Sequence, residues 1–383
     1  MTAVGLTNTD LSIHDNLVQA LSARAFRRAV TAVYPVTNNR TIPILGTIRL
    51  QSDGVLLSLT SSDLDRMVTV TLLAPNVPPL DVAVWARALR SFLQGLEGEI
   101  DLSVESDGKV KVSCGDRVGV IPTMPVADFF ILNMPADSDG TPIKTVAITL
   151  DAAPLHNALS GVSPCMSTER SRYYLNGAYM HVVDGALRFV ATDGRRLMLQ
   201  DVSEAQIDRK FPAIILPHET VGWLAKNVRT GPVTMAYAGN HIEVIGSGCR
   251  VVSKLIDGTY PDYPRVVPGV EGRTLSLAVA SGQADTVRWL SRQTDNKTAR
   301  VKLTVNGATS LSASAIEGGL FTAPLACYRE GADLEITFNG KYLVEALAGG
   351  LNPVMSFTGP ADPVRIDYTG SPGRVGVLMP VRQ

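Results

Sequence analysis

Turn dipeptides recur along this chain at a nearly constant interval. Asp53-Gly54, Asp184-Gly185 and Asn306-Gly307 each separate two strand-like stretches, and they lie 131 and then 122 residues apart. Asp-Gly and Asn-Gly are the pairs that best tolerate positive φ in a two-residue hairpin, so each marks a strand, a tight turn and a strand. A second series of turns, near Asp107, Asn240 and Asp362, repeats at 133 and 122 residues. Two unrelated series with the same period predict three copies of one domain.

Each hairpin follows a short stretch with apolar residues at three- and four-residue steps, which predicts a helix. The pairs are Leu17–Val33 and Val84–Leu96, Ala153–Val162 and His218–Val228, and Ala284–Arg292 and Lys341–Leu347. The expected fold is α+β, with domains at 1–143, 144–270 and 271–383, each built from two helix-plus-antiparallel-sheet halves. Sheets of this kind bury one face under their helices and leave the opposite helix faces free to line something.

Those helix faces are basic. The first carries Arg24, Arg27 and Arg28, the second Arg87 and Arg90, and later ones add Lys226, Arg229, Arg288, Arg292 and Lys341. Yet the whole chain of 383 residues is neutral, with 35 Lys and Arg against 36 Asp and Glu. The bases therefore gather on helices and the acids on sheets, a distribution suited to a phosphate backbone held without reading its sequence.

Other chemistry finds little support. The four cysteines (Cys114, Cys165, Cys249, Cys327) are far apart with no CxxC spacing, and the five histidines (His14, His156, His181, His218, His241) show no HxxxH or HxH pattern. No metal and no cofactor is expected. The N-terminus lacks a basic start followed by an apolar core, and no run reaches the roughly 18 apolar residues of a membrane helix, so a cytoplasmic protein is expected. An enzyme on repeated α+β domains, with Asp193 or Asp257 as general base, is the alternative from another class; no His, Ser or Cys constellation partners either aspartate.

The stretches "NNRTIPILGTIRL", "RSRYYLNGAY", "VATDGRRL", "SKLIDGTYPDYPRVVP" and "VLMPVR", spread over the whole chain, resemble the bacterial DNA polymerase III beta subunit family, the beta sliding clamps. The resemblance implies a non-catalytic head-to-tail homodimer, closed into a ring around duplex DNA with helices inside and sheet outside. It implies docking of the polymerase alpha subunit, the clamp loader and other proteins through short peptides that enter an apolar groove. Carried over by motif, the groove is Leu175, Thr192, Gly194, Arg195, Arg196 and Leu197, with Pro261, Arg265 and Val266, and with Val377, Leu378, Met379, Pro380, Val381 and Arg382 of the tail. Leu, Val and Met suit a deformable pocket for a leucine or aromatic anchor, and rim arginines would orient the peptide backbone. Arg40, Arg172 and Tyr173 match loop positions that reach DNA and join Arg24, Arg27 and Arg28 as expected contacts.

Several positions depart from the family pattern. Residue 195 is arginine where histidine is common, and His218-Glu219 replaces a basic pair. Gly119 and Pro324 fall on the two strands expected at the dimer seam, where a missing side chain and a missing N–H would weaken or shift the pairing. A plasmid- or phage-borne clamp serving as a specialised docking hub would carry the same motifs.

Overall fold

A computed structural model describes residues 20–37, 41–141, 143–208, 210–294, 299–315 and 317–381. The chain divides into two compact units, one running to Asn133 and including Gly248–Val252, the other comprising Met134–Ser247 and Ser253 onward. Six α-helices stand among the described residues: α1 (Ala23–Val33), α2 (Ala86–Phe92), α3 (Ala152–Val162), α4 (His218–Asn227), α5 (Gln283–Ser291) and α6 (Gly340–Ala348). Each lies within one of the predicted stretches or within a residue of it, except that the residues of the first stretch before Ala20 lie outside the described ones.

In the first unit, strands Thr47–Ser52, Leu56–Ser62, Arg66–Leu73 and Leu80–Trp85 form antiparallel pairs, and a separate sheet contains Asp101–Val104, Val110–Cys114 and Arg117–Ile121. The Ser22 side chain caps α1 by accepting the Ala25 N–H at 3.2 Å. The helix buries Ala23, Phe26, Ala29, Val30 and Val33 against the sheet and leaves Arg24 and Arg28 exposed. An apolar stripe at this spacing is what holds so short a helix, since isolated helices of this length are marginal in water.

In the second unit, one sheet runs in the order Ile214–Pro217, Gly177–Val183, Ala186–Thr192, Arg196–Val202, Arg374–Leu378, Val364–Tyr368, Pro353–Phe357, Leu275–Val279 and Cys327–Gly331. The pairing of Arg196–Val202 with Arg374–Leu378 joins residues of the second and third sequence repeats in a single sheet. Helices α3 and α4 pack together, as do α5 and α6.

The three marker turns are not alike. Asp184 (φ 50°) and Gly185 (φ 82°) make the two-residue turn that the dipeptide predicts. At Asp53-Gly54 only the glycine has positive φ (93°), and the Asp53 carboxylate accepts the N–H groups of Val55 and Leu56 at 2.8 Å each, giving a longer loop. In the third turn Asn306 pairs directly with Ala308 around Gly307. At Asp53 side-chain hydrogen bonding, and not the dipeptide alone, shapes the turn.

Candidate functional site

Thr192 and Leu197 end two antiparallel strands as cross-strand partners, and the residues between them form a turn built by Asp193. Its Oδ1 accepts the N–H groups of Arg195 at 2.9 Å and Arg196 at 3.1 Å, while its Oδ2 accepts Arg196 Nε at 3.0 Å. The Thr192 hydroxyl donates to the Arg196 carbonyl at 2.7 Å and accepts the Gly194 N–H at 3.1 Å. Gly194 is fixed twice over: its φ is 85°, and a Cβ there would stand 2.7 Å from Arg172 Nη1. A carboxylate saturated by three turn donors is committed to structure and is poorly placed to act as a general base.

Side chains alternate across the strand pair that follows, so its two faces differ. Leu197, Leu199 and Val377 turn to one face, where they join Leu175, Val190, Ile215, Tyr260 and Tyr263 in a single apolar cluster. Three motif residues predicted for the groove, Leu175, Leu197 and Val377, thus meet in one floor. Above it, Pro261, Arg265 and Val266 are exposed on one segment, and Met379 is 37% exposed on another. The Met379 N–H donates to the Arg195 carbonyl at 2.9 Å and the Val381 N–H to the Thr337 carbonyl at 2.8 Å, which fixes the path of the tail past Pro380. Arg382 lies outside the described residues.

Three of the motif residues face away from this cluster or are engaged elsewhere. Leu378 is fully buried on the opposite face, because it follows Val377 in an alternating strand. Arg196 points to that same helix-side face: it pairs with Asp193 and Glu345, donates to the Pro164 carbonyl at 2.5 Å, and stacks 4.2 Å over the Tyr342 ring. It is a tether between α6 and the turn. Arg172 pairs with Glu169 at 2.8 Å and donates to the Asp193 carbonyl at 3.2 Å, so it buttresses the same turn. Tyr342 escaped the sequence reading entirely. It sits beneath both Arg195 and Arg196, and its hydroxyl holds the Arg195 guanidinium above its ordinary pKa. Nothing in the spacing of a lone tyrosine on α6 reveals that position.

On the helix side, a cavity of about 770 Å³ lies between α3 and α6, lined by Asn157, Gly161, Met198, Glu345, Tyr368 and Arg374 among others. Arg374 spans it, donating to the Gln200 amide oxygen at 2.7 Å and to the carbonyls of Gly349 at 2.5 Å and Asn157 at 2.6 Å. Burial holds its pKa below the usual guanidinium value. Cys165 is buried nearby, and desolvation pushes its thiol up to about 12, against the pull of Arg196. A thiol so shifted is inert at neutral pH.

Of the expected DNA contacts, Arg24 and Arg28 are exposed on α1, but Arg27 turns aside to donate to the carbonyls of Leu96 at 2.8 Å and Leu93 at 3.4 Å. Arg90 lies 4.3 Å over the Tyr34 ring, and Arg288 pairs with Asp285 on its own helix, so the basic bias of α5 is partly cancelled. Tyr173 is exposed and meets Tyr174 edge-on at 5.8 Å. Arg40 lies outside the described residues.

Two of the edge strands expose apolar side chains and fall where the dimer seam is expected. Arg117–Ile121 exposes Val118 (54%) and Val120 (47%), and Leu320–Pro324 exposes Leu320 (70%). The absence of a side chain at Gly119 has a local cause, since a Cβ there would come within 2.7 Å of the Phe92 ring.

Comparison with known proteins gives one answer. Residues 149–262 match the family model described as the DNA polymerase III beta subunit, central domain. The chain is 29% identical over 373 residues to the beta sliding clamp of Caulobacter vibrioides, covering 94% of this chain and 98% of that one. It is 29% identical over 358 residues to the beta sliding clamp of Escherichia coli K12, covering 91% and 94%. Among solved structures, a DnaN sliding clamp from Bartonella birtlesii bound to griselimycin aligns with a TM-score of 0.85 at 27% identity, over 95% of this chain and 99% of that one. The C. crescentus beta sliding clamp aligns with a TM-score of 0.82 at 28% identity, over 95% and 98%. Over nearly its whole length the chain is similar to bacterial beta sliding clamps, and its central residues match the family model of the DNA polymerase III beta subunit.

Proposed function

We propose that this protein encircles duplex DNA as a sliding clamp and tethers the replicative polymerase for processive synthesis, with no catalytic activity of its own. The observation that carries the proposal is the full-length likeness to solved clamps together with a neutral chain whose first helix presents Arg24 and Arg28 to solvent. Such a surface attracts a phosphate backbone through counterion release, which is sequence-independent and suits a sliding contact. Three domains, at 1–143, 144–270 and 271–383, fit this role, and a head-to-tail homodimer would pair the Arg117–Ile121 edge of one copy with the Leu320–Pro324 edge of the next. A cytoplasmic location follows from the same role; among the described residues no helix is long and apolar enough to cross a membrane.

The groove over Leu175, Leu197 and Val377, rimmed by Thr192, Gly194, Arg195, Pro261, Arg265, Val266, Met379, Pro380 and Val381, is proposed to capture short leucine- or phenylalanine-bearing peptides of the polymerase alpha subunit and the clamp loader. An apolar floor with a partly exposed methionine and an exposed arginine at its rim fits an anchor side chain below and a peptide backbone above.

The decisive test is topological. Labelled protein is loaded by a clamp loader onto a nicked plasmid, washed at high salt, and half the sample is cut with a restriction enzyme. Retention on the circle and release from the line is expected; equal retention on both would mean that DNA is held by direct contact and would end the clamp reading.

A further inference from the structure

The rim segment carrying Pro261, Arg265 and Val266 is anchored from below by a chain of polar groups that crosses three strands. His181, Arg188 and Asp201 are successive cross-strand neighbours. Arg188 grips Asp201 with two bonds, at 2.5 and 2.7 Å, and its Nη1 stands 3.4 Å from the Tyr263 hydroxyl. That hydroxyl lies 3.0 Å from His181 Nε2. Tyr263 is itself buried in the groove floor and opens the short helical turn Tyr263–Val266 that presents the rim.

A guanidinium only donates, so the Tyr263 oxygen accepts from Arg188 and keeps its own proton to give. In the neutral ring with its proton on Nδ1, His181 Nε2 is bare and takes that proton's hydrogen bond. The ring is also held by stacking: Tyr179 lies 4.5 Å from it at 27°, and Tyr260 lies 4.7 Å beyond Tyr179 at 2°. The titratable and charged groups facing His181 are therefore Tyr179, Tyr263, Arg188 and Asp201. Protonation would place Nε2–H against the Tyr263 oxygen, displace the tyrosine's own proton, and set an imidazolium near Arg188. Burial first and Arg188 second hold His181 below its ordinary pKa, with Asp201 pulling the other way.

We infer that His181 is a positioning residue for the groove: in its neutral form it fixes Tyr263 and the Pro261–Val266 rim against the floor, and on protonation it lets that rim loosen, so that peptide capture weakens in acid. The second half rests on the groove reading above; the first half does not.

The experiment uses the full-length protein and separates the two. Amide hydrogen exchange across residues 262–267, corrected for intrinsic rates, reports the rim; calorimetry with griselimycin, the ligand of the B. birtlesii relative, reports the groove. Between about pH 7.5 and pH 5, wild-type exchange should rise and griselimycin affinity should fall, each about fivefold, as the Tyr263 proton loses its acceptor and an imidazolium is set near Arg188. His181→Gln keeps an acceptor that does not titrate, so it should match wild type at neutral pH and show no acid response. His181→Phe keeps the stacking without the acceptor and should exchange fast at both pH values. Wild-type exchange indifferent to pH, or a His181→Gln protein that titrates like wild type, overturns the inference. An exchange response as expected beside a griselimycin affinity that ignores it, or no griselimycin binding at all, overturns the groove reading while the hold of His181 on Tyr263 stands.

Discussion

Asp193 shows how a residue's surroundings settle its role. Its carboxylate accepts two backbone N–H groups and one guanidinium N–H, which closes the turn and aims Arg196 away from the groove floor. Asp193→Ala should lower stability by about 2 kcal/mol, because two turn donors and a half-buried arginine lose their acceptor together. Thermal unfolding checks this, and Asp193→Asn, which retains one acceptor oxygen, should recover part of the loss. The turn itself was legible in the sequence, since Thr-Asp-Gly is a local signal. The fate of Arg196 was not. Its partner Glu345 is 149 residues away on α6, and only the sheet pairing between Arg196–Val202 and Arg374–Leu378 brings the two together. Likewise, Leu197 and Val377, which meet in one apolar cluster, could be singled out because each lies in a short motif, whereas Tyr342 carries no motif at all.

Among elements, helices were the most readable, because an apolar stripe at three- and four-residue steps needs no knowledge of the partner face. Helix ends were less so: α2 covers Ala86–Phe92, well inside the predicted Val84–Leu96, because Trp85 still belongs to a strand. The tail is the element on which the groove depends most. Deleting Met379–Gln383 removes the Met379 side chain and the two backbone bonds, to Arg195 and Thr337, that hold the tail in place. Affinity for a leucine- or phenylalanine-bearing peptide should fall by at least about 2 kcal/mol, the loss of one apolar anchor site. Calorimetry would measure it, and an unchanged solution mass would show that assembly is intact. His181 adds a pH term to folding. Its folded pKa lies below the unfolded value, so the neutral network stabilises fully above about 6.5 and is lost as pH falls through the folded pKa. Chemical denaturation of wild type and His181→Gln at a series of pH values should show the two curves converging above neutrality and wild type falling away in acid.

In the proposed ring, the Arg117–Ile121 and Leu320–Pro324 edges decide assembly. Light scattering at micromolar concentration should give twice 40.9 kDa, and Val118→Lys with Val120→Lys should shift the protein toward monomer by setting charges on an edge that must pair. A wild-type protein that stays monomeric at that concentration would contradict the ring. The period of the marker turns and the neutral chain with basic helices were readable from turns and charge alone. Which arginines remain available was not, because Arg27, Arg172 and Arg196 are spent on carbonyls and carboxylates supplied by distant segments.

In the proposed ring, closure at the Arg117–Ile121 and Leu320–Pro324 edges makes holding DNA a matter of dosage. A single protomer cannot be trapped on a circle, so only closed pairs count. Well below the dimer dissociation constant, the number of pairs grows as the square of the protomer concentration. Halving the amount of this protein in a cell would then leave about a quarter of the rings, so its grip on DNA responds more steeply to expression level than any one-protomer binder could.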